Sequence, residues 1–230
     1  MKSKSIVITG AGRGIGLALV KWFIKKNHNI LAISRNVEAL HALAGHKQNL
    51  SVLSKDLTIG SNLKSIKEWI SQNWDGIDIL IHNAGFIVNK PFIETSNAEF
   101  EKVYKVNVFA VAELTRLLYP YLVKNSHVLA ISSMGGVQGS VKFPGLSAYS
   151  SSKGAVITLM ELLAEEFKEE QISCNVLALG AVQTEMLAKA FPGYKAPNSP
   201  EEIAEFIGDF ALNGHRFFNG KLLPVSASTP

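Results

Sequence analysis

The sequence is short of cysteine, of long apolar runs and of clustered charge, and each shortage removes a class of function. Cys174 is the one cysteine in 230 residues, so no internal disulfide can form. Its place in the apolar alternation Ile172, Cys174, Val176 marks a packing residue rather than a reactive thiol. The first apolar run, Ile6-Val7-Ile8, is too brief for a signal-peptide core or a bilayer span, which predicts a cytoplasmic protein with no membrane partner. The net charge is +4, but the 23 lysines and arginines are scattered and build no basic helix, so no nucleic-acid partner is expected. His28, His41, His46, His82, His127 and His215 form no ligand-spaced cluster with carboxylates, so no metal site is predicted. Repeats, low-complexity tracts and linker compositions are missing as well. With 47% hydrophobic residues to bury, residues 1–230 are expected to form one domain.

What is present is an alternation of two patterns. Short apolar, β-branched runs at 5–9, 29–34, 50–53, 77–82, 127–132, 172–178 and 222–225 read as seven strands. Segments of helical period lie between them at 15–26, 37–44, 61–74, 97–123, 149–169 and 200–212. Ser61, Asn97 and Ser199 are the expected caps, the last followed by Pro200 and two acidic residues. The strands are apolar throughout rather than alternating, as expected when both faces are covered. The predicted fold class is therefore α/β: a doubly wound, seven-stranded parallel sheet in a three-layer α/β/α sandwich. The least regular stretches, 134–148 and 185–199, follow strands on the side where such sheets bind ligands.

The first strand closes on Thr9-Gly10-Ala11-Gly12-Arg13-Gly14-Ile15-Gly16. A glycine-rich turn there lets backbone N–H groups approach phosphate oxygens while a helix N-terminus faces the negative charge. A turn needing glycine only for packing would read the same way. The spacing is Gly10-x-x-x-Gly14-x-Gly16, with Ile15 where the G-x-G-x-x-G pattern wants a glycine, and no P-loop Lys-Ser or Lys-Thr follows. The second strand ends in Ser34-Arg35 without the carboxylate that would take a ribose 2′-hydroxyl. Arg13 and Arg35 are either solvated or grip a 2′-phosphate with bidentate hydrogen bonds, so NADP(H) is expected in preference to NAD(H). Asp56, followed by Leu57, either contacts an adenine edge or caps a turn. In Asn83-Ala84-Gly85 the small residues permit close backbone approach to a ribose or ring, and the asparagine could bridge neighbouring strands.

Tyr149 and Lys153 stand four residues apart at the start of a predicted helix and share a face. An ammonium there favours tyrosinate, lowering a phenol pKa that starts near 10 towards a range useful for proton transfer. Ser133, at the end of the fifth strand, could hydrogen-bond a reacting oxygen or the tyrosine. Asn107 interrupts an apolar helical stretch, which calls for either a buried hydrogen bond or a proton-relay water.

Taken together, these motifs resemble the short-chain dehydrogenase/reductase family in its single-domain oxidoreductase form, over nearly the whole chain. The resemblance implies a Rossmann-like fold with Tyr149 as general acid/base, Lys153 on the tyrosine and the nicotinamide ribose, Ser133 rather than Ser132 on the substrate oxygen, and Asn107 behind a water relay. It also implies Asp56 at the adenine and Val182 and Thr184 at the nicotinamide carboxamide. The segment between Ser133 and Tyr149 is longer than is common in the family, and Leu179-Gly180 replaces its usual Pro-Gly.

The expected activity is NADP(H)-dependent reduction of a small carbonyl compound, or oxidation of the secondary alcohol. The alternatives are an NAD(H)-dependent alcohol dehydrogenase, a carrier-linked 3-oxoacyl reductase and a non-catalytic dinucleotide sensor. Glu170-Gln171 stands where carrier-linked reductases tend to have a basic residue for an acidic partner. A sensor has no need of Ser133, Tyr149, Lys153 and Asn107 together. Phe86, Met134, Val137, Phe143, Leu146 and Met186 suggest an apolar pocket. Surplus apolar surface on helices 97–123 and 149–169, which pair between subunits in family members, predicts a homodimer or homotetramer.

Overall fold

The computed structural model describes residues 3–45 and 47–226; His46, residues 1–2 and residues 227–230 lie outside the described residues. The strands are β1 (Ser5–Thr9), β2 (Asn29–Ser34), β3 (Leu50–Ser54), β4 (Ile77–His82), β5 (Leu122–Ser133), β6 (Ser173–Leu179) and β7 (Lys221–Val225). They form one seven-stranded sheet in the order β3-β2-β1-β4-β5-β6-β7, and every pairing is parallel. The helices are α1 (Gly14–Lys25), α2 (Glu38–Ala44), α3 (Gly60–Asn73), α4 (Asn97–Tyr104), α5 (Ala110–Leu118), α6 (Ser147–Glu166), α7 (Glu185–Ala190) and α8 (Pro200–Asn213).

Successive strand residues point to opposite faces, and both faces are apolar. Ile6 and Ile8 join the layer containing Leu19 and Phe23 of α1 and Ile203 and Ile207 of α8. Val7 joins the other layer, with Ile66 and Ile70 of α3, Leu114 of α5 and Met160 of α6. Each such side chain, fully buried, stabilises the fold by about 1.5–3 kcal/mol before entropy is counted. Among the described residues no helix is long and apolar enough to cross a membrane.

Four local features differ from expectation. The helix predicted at 97–123 is α4, a π-helical turn at Lys105–Phe109, then α5, which gives way at Leu118 to a 3-10 turn, Tyr119–Tyr121. Pro120 lies in that turn and has no N–H to continue the helix, so Leu122 and Val123 enter β5 instead. Ser96 caps α4 rather than Asn97, because Glu99 three residues on reaches back to its N–H. α3 starts one residue before Ser61 with no side-chain cap. Ser199 does cap α8, with Glu202 as its partner and Pro200 in the first turn. Within 185–199 the chain folds α7, capped by Thr184, whose Oγ1 accepts from Leu187 N at 3.2 Å. Strand order reverses between β1 and β4, so the crevice of the sheet opens above their carboxyl ends.

Candidate active site

A cleft of about 470 Å³ lies above those strand ends. Every predicted cofactor and catalytic residue lines it except Gly12 and Asn107. Gly12 packs on the end of β2, where a Cβ would lie 2.6 Å from Ser34 Oγ. Asn107, buried in the π-helical turn, accepts from Phe86 N at 2.8 Å and donates to Phe86 O at 3.0 Å and Ser152 Oγ at 2.9 Å. Its side chain thus makes a buried hydrogen-bond set that ties the loop after β4 to α6.

The floor of the cleft is the β1–β4 junction. Thr9 Oγ1 accepts from the N–H groups of Asn83 and Ala84, and Asn83 Nδ2 donates to the carbonyls of Thr9 and Gly10 at 3.1 Å each. Gly10 has φ +66°, and a Cβ on it would stand 2.7 Å from Ala84 Cα, so only glycine fits. α1 then begins without a side-chain cap and without an acidic residue in its first turn. Its first N–H groups and its dipole are therefore available to an anion, the fit that a dinucleotide pyrophosphate requires.

Around the turns after β2 and β3 stand Ser34, Arg35, Lys55 and Asp56. Lys55 was not anticipated; it is placed there by β2–β3 pairing, with Lys55 N donating to Ser34 O at 3.0 Å. Its adjacency to Asp56 was the signal available in the sequence. Burial would raise the Asp56 carboxyl, but hydrogen bonds from Thr58 N and Oγ1 and the nearby Arg35 charge outweigh it, and the pKa is lowered. Arg35 Nη1 lies 4.0 Å from Asp56 Oδ2, beyond hydrogen-bond range. Arg13 instead reaches across the cleft mouth to Glu185 of α7, at 2.9 Å.

At the far end Tyr149, Ser133 and Lys153 meet. Burial pushes the Tyr149 phenol up to about 12, with only the Ser133 hydroxyl acting in the opposite direction. Burial likewise brings the Lys153 ammonium down to about 8. Its Nζ donates to Ile131 O at 2.8 Å and lies 5.8 Å from the centre of the Tyr149 ring. In this arrangement burial sets the direction for both groups, and the Lys153 ammonium is held by Ile131 O. Of the predicted pocket residues, Met134, Phe143, Leu146 and Met186 line the cleft. Phe86 and Val137 do not: Lys102 covers the Phe86 ring, and Val137 packs against the core.

The model of the short chain dehydrogenase family matches residues 4–195. The chain belongs to the short-chain dehydrogenase family. It is thus an oxidoreductase of a family acting on alcohol and carbonyl groups. This short-chain dehydrogenase is 28% identical to 3beta-hydroxysteroid dehydrogenase 2 of Eggerthella lenta, over 98% of this chain and 94% of that one. It superposes on 4-hydroxyisoleucine dehydrogenase complexed with NADH with a TM-score of 0.88, 25% identity and 98% coverage of both chains. A short chain dehydrogenase from Shigella flexneri complexed with NADP matches with a TM-score of 0.87 and 26% identity, over 97% of each chain.

Proposed function

We propose that this dehydrogenase is an NADP(H)-dependent carbonyl reductase, able to run in reverse on the secondary alcohol. The observation that carries the reading is that Ser133, Tyr149 and Lys153 line one cleft with the glycine-rich turn and the open N-terminus of α1. A bound nicotinamide dinucleotide supplies or accepts the hydride. Gly10, Gly14 and the first turn of α1 hold its pyrophosphate, with Asp56 and Leu57 beside the adenine and Val182 and Thr184 at the carboxamide. Ser133 Oγ hydrogen-bonds the carbonyl oxygen and Tyr149 delivers its proton to that oxygen. A neutral phenol is the form needed for donation, and burial keeps it neutral. Lys153, one helical turn on, supplies positive charge that favours the tyrosinate left behind.

The absence of a carboxylate after β2, with Arg35 and Lys55 at that corner, supports the 2′-phosphorylated cofactor. The relatives bound to NADH and to NADP agree in taking a nicotinamide dinucleotide. Self-association through α6 and the π-helical turn, where Leu162 and Phe109 are exposed, belongs to the same proposal. The deciding assay follows NADPH and NADH consumption on a panel of ketones, aldehydes and 3-oxoacyl thioesters. NADPH-dependent turnover that vanishes in Tyr149→Phe is expected; nucleotide binding without turnover on any compound would instead favour a sensor.

A further inference from the structure

The cleft is divided by charge. Among the described residues that line it, the charged side chains are Arg13, Arg35, Lys55, Asp56, Lys153 and Glu185. Four of these stand on the turns after β1, β2 and β3, the half assigned above to the dinucleotide. Of the remaining two, Lys153 donates to Ile131 O beside the tyrosine, and Glu185 is engaged by Arg13, which offsets its charge.

The turns after β4, β5 and β6 contribute Ile87, Met134, Phe143, Leu146, Met186 and Phe191 instead. Tyr194 adds a phenol and no charge. Lys142, in the loop after β5, does not line the cleft: its ammonium is turned to Gly135 O at 3.0 Å, Val137 O at 2.6 Å and Ser140 Oγ at 2.9 Å. Away from Lys153, whose ammonium sits beside the tyrosine, a ligand carboxylate or ammonium placed on this half would lose water and find no counter-charge except the Glu185 already paired with Arg13, whereas hydrocarbon would exchange water for apolar contacts.

We infer that the substrate is an uncharged carbonyl compound whose apolar substituent lies against the loops after β4, β5 and β6. The inference rests on the reductase reading of the same cleft. It is tested with methyl ketones of increasing chain length and α-keto acids carrying the same alkyl chains. Each is titrated calorimetrically into the NADPH-loaded Tyr149→Phe protein, which binds without turning over, and assayed for turnover with the unsubstituted enzyme. The ketone is expected to bind at least about tenfold more tightly than its keto acid, with affinity rising by up to about fourfold per added methylene. Met186→Arg is expected to improve keto-acid binding while leaving NADPH affinity unchanged. Keto acids that bind as tightly as ketones, affinity indifferent to chain length, or failure of every ketone to bind would overturn the inference. Ketone binding with the expected preference but no turnover would leave it standing and overturn the reductase reading. Failure to bind either nucleotide would overturn both.

Discussion

The sheet buries His127 near its amino end and Lys153 near its carboxyl end, and the hydrogen bonding of the two is finished differently. At the amino end, His127 Nδ1 lies 3.0 Å from Ala211 O, which can only accept, so Nδ1 carries the proton and Nε2 accepts from Asn175 Nδ2 at 3.0 Å. The amide cannot be turned round, because Asn175 Oδ1 accepts from Lys221 N and Nδ2 also donates to Phe218 O. At the carboxyl end, the Lys153 ammonium makes one hydrogen bond among the described residues, although it has three protons, and the half-buried Tyr149 lies beside it in the wall of a cleft. A buried polar group with every valence used holds structure together. One with capacity left over, facing a cleft, is equipped for chemistry.

The largest effect expected is at the carboxyl end. Tyr149→Phe removes the proton donor and should lower kcat by about 10²–10⁴-fold, with NADPH affinity and melting temperature little changed. Stopped-flow and steady-state rates measure the first, nucleotide titration and thermal melts the others. Asn175→Ala should behave in the opposite way. It leaves Phe218 O, Lys221 N and His127 Nε2 without their partner, and should cost about 2–4 kcal/mol in urea unfolding while NADPH affinity stays unchanged. A stable Asn175→Ala protein with impaired nucleotide binding would break the comparison.

Acid sharpens it. Burial lowers His127 from 6.5 to about 4 and His82 from 6.5 to about 3, so the folded state holds both in the neutral form. A base whose folded pKa is depressed contributes stability above its unfolded value and loses it as pH falls towards the folded one. Protonating His127 at Nε2 would also set an N–H against the Asn175 amide N–H, with His215 the neighbouring titratable ring, 5.7 Å away between ring centres. Unfolding free energy should therefore fall below pH 6.5 by up to about 1.4 kcal/mol per pH unit for each histidine. The His127 share should end near pH 4 and the His82 share near pH 3. His127→Gln should remove its share of the slope in urea titrations at successive pH values.

The amino end was half legible in the sequence: His127, at a strand end, reads as a hydrogen-bonded packing residue, but its partner does not. His127 and Asn175 are 48 residues apart and meet only through β5–β6 pairing, so their partnership carries no local signal. The strands were legible because a run buried on both faces cannot be written in polar residues. The Tyr149–Lys153 pair was legible because its spacing lies within one helix. The π-helical turn at Lys105–Phe109 was not, since the apolar period runs on through it. Pro120 marks the end of α5, although the helical period of the sequence runs past it to residue 123. Ile131, which holds Lys153, comes beneath α6 only once the sheet has formed.

The same contrast between used and spare bonding separates the two arginines that sequence reasoning treated alike. Arg13 lies 172 residues from Glu185 and is already bonded to it, so a phosphate must compete with a carboxylate for its guanidinium. Arg35 stands beyond hydrogen-bond range of Asp56, exposed and beside Lys55, with its donors uncommitted to that carboxylate. Arg35→Ala should therefore weaken NADPH binding by about tenfold, within the range of a charge-assisted hydrogen bond, and leave NADH binding nearly unchanged. Arg13→Ala should cost NADPH less than this, because Arg13 gives up its Glu185 bond to reach a phosphate and only the difference between the two bonds is lost. The two variants, titrated against both nucleotides at several salt concentrations, decide the matter. A larger NADPH loss for Arg13→Ala would mean that the Glu185 pair opens at negligible cost and that Arg13 is the principal grip on the 2′-phosphate.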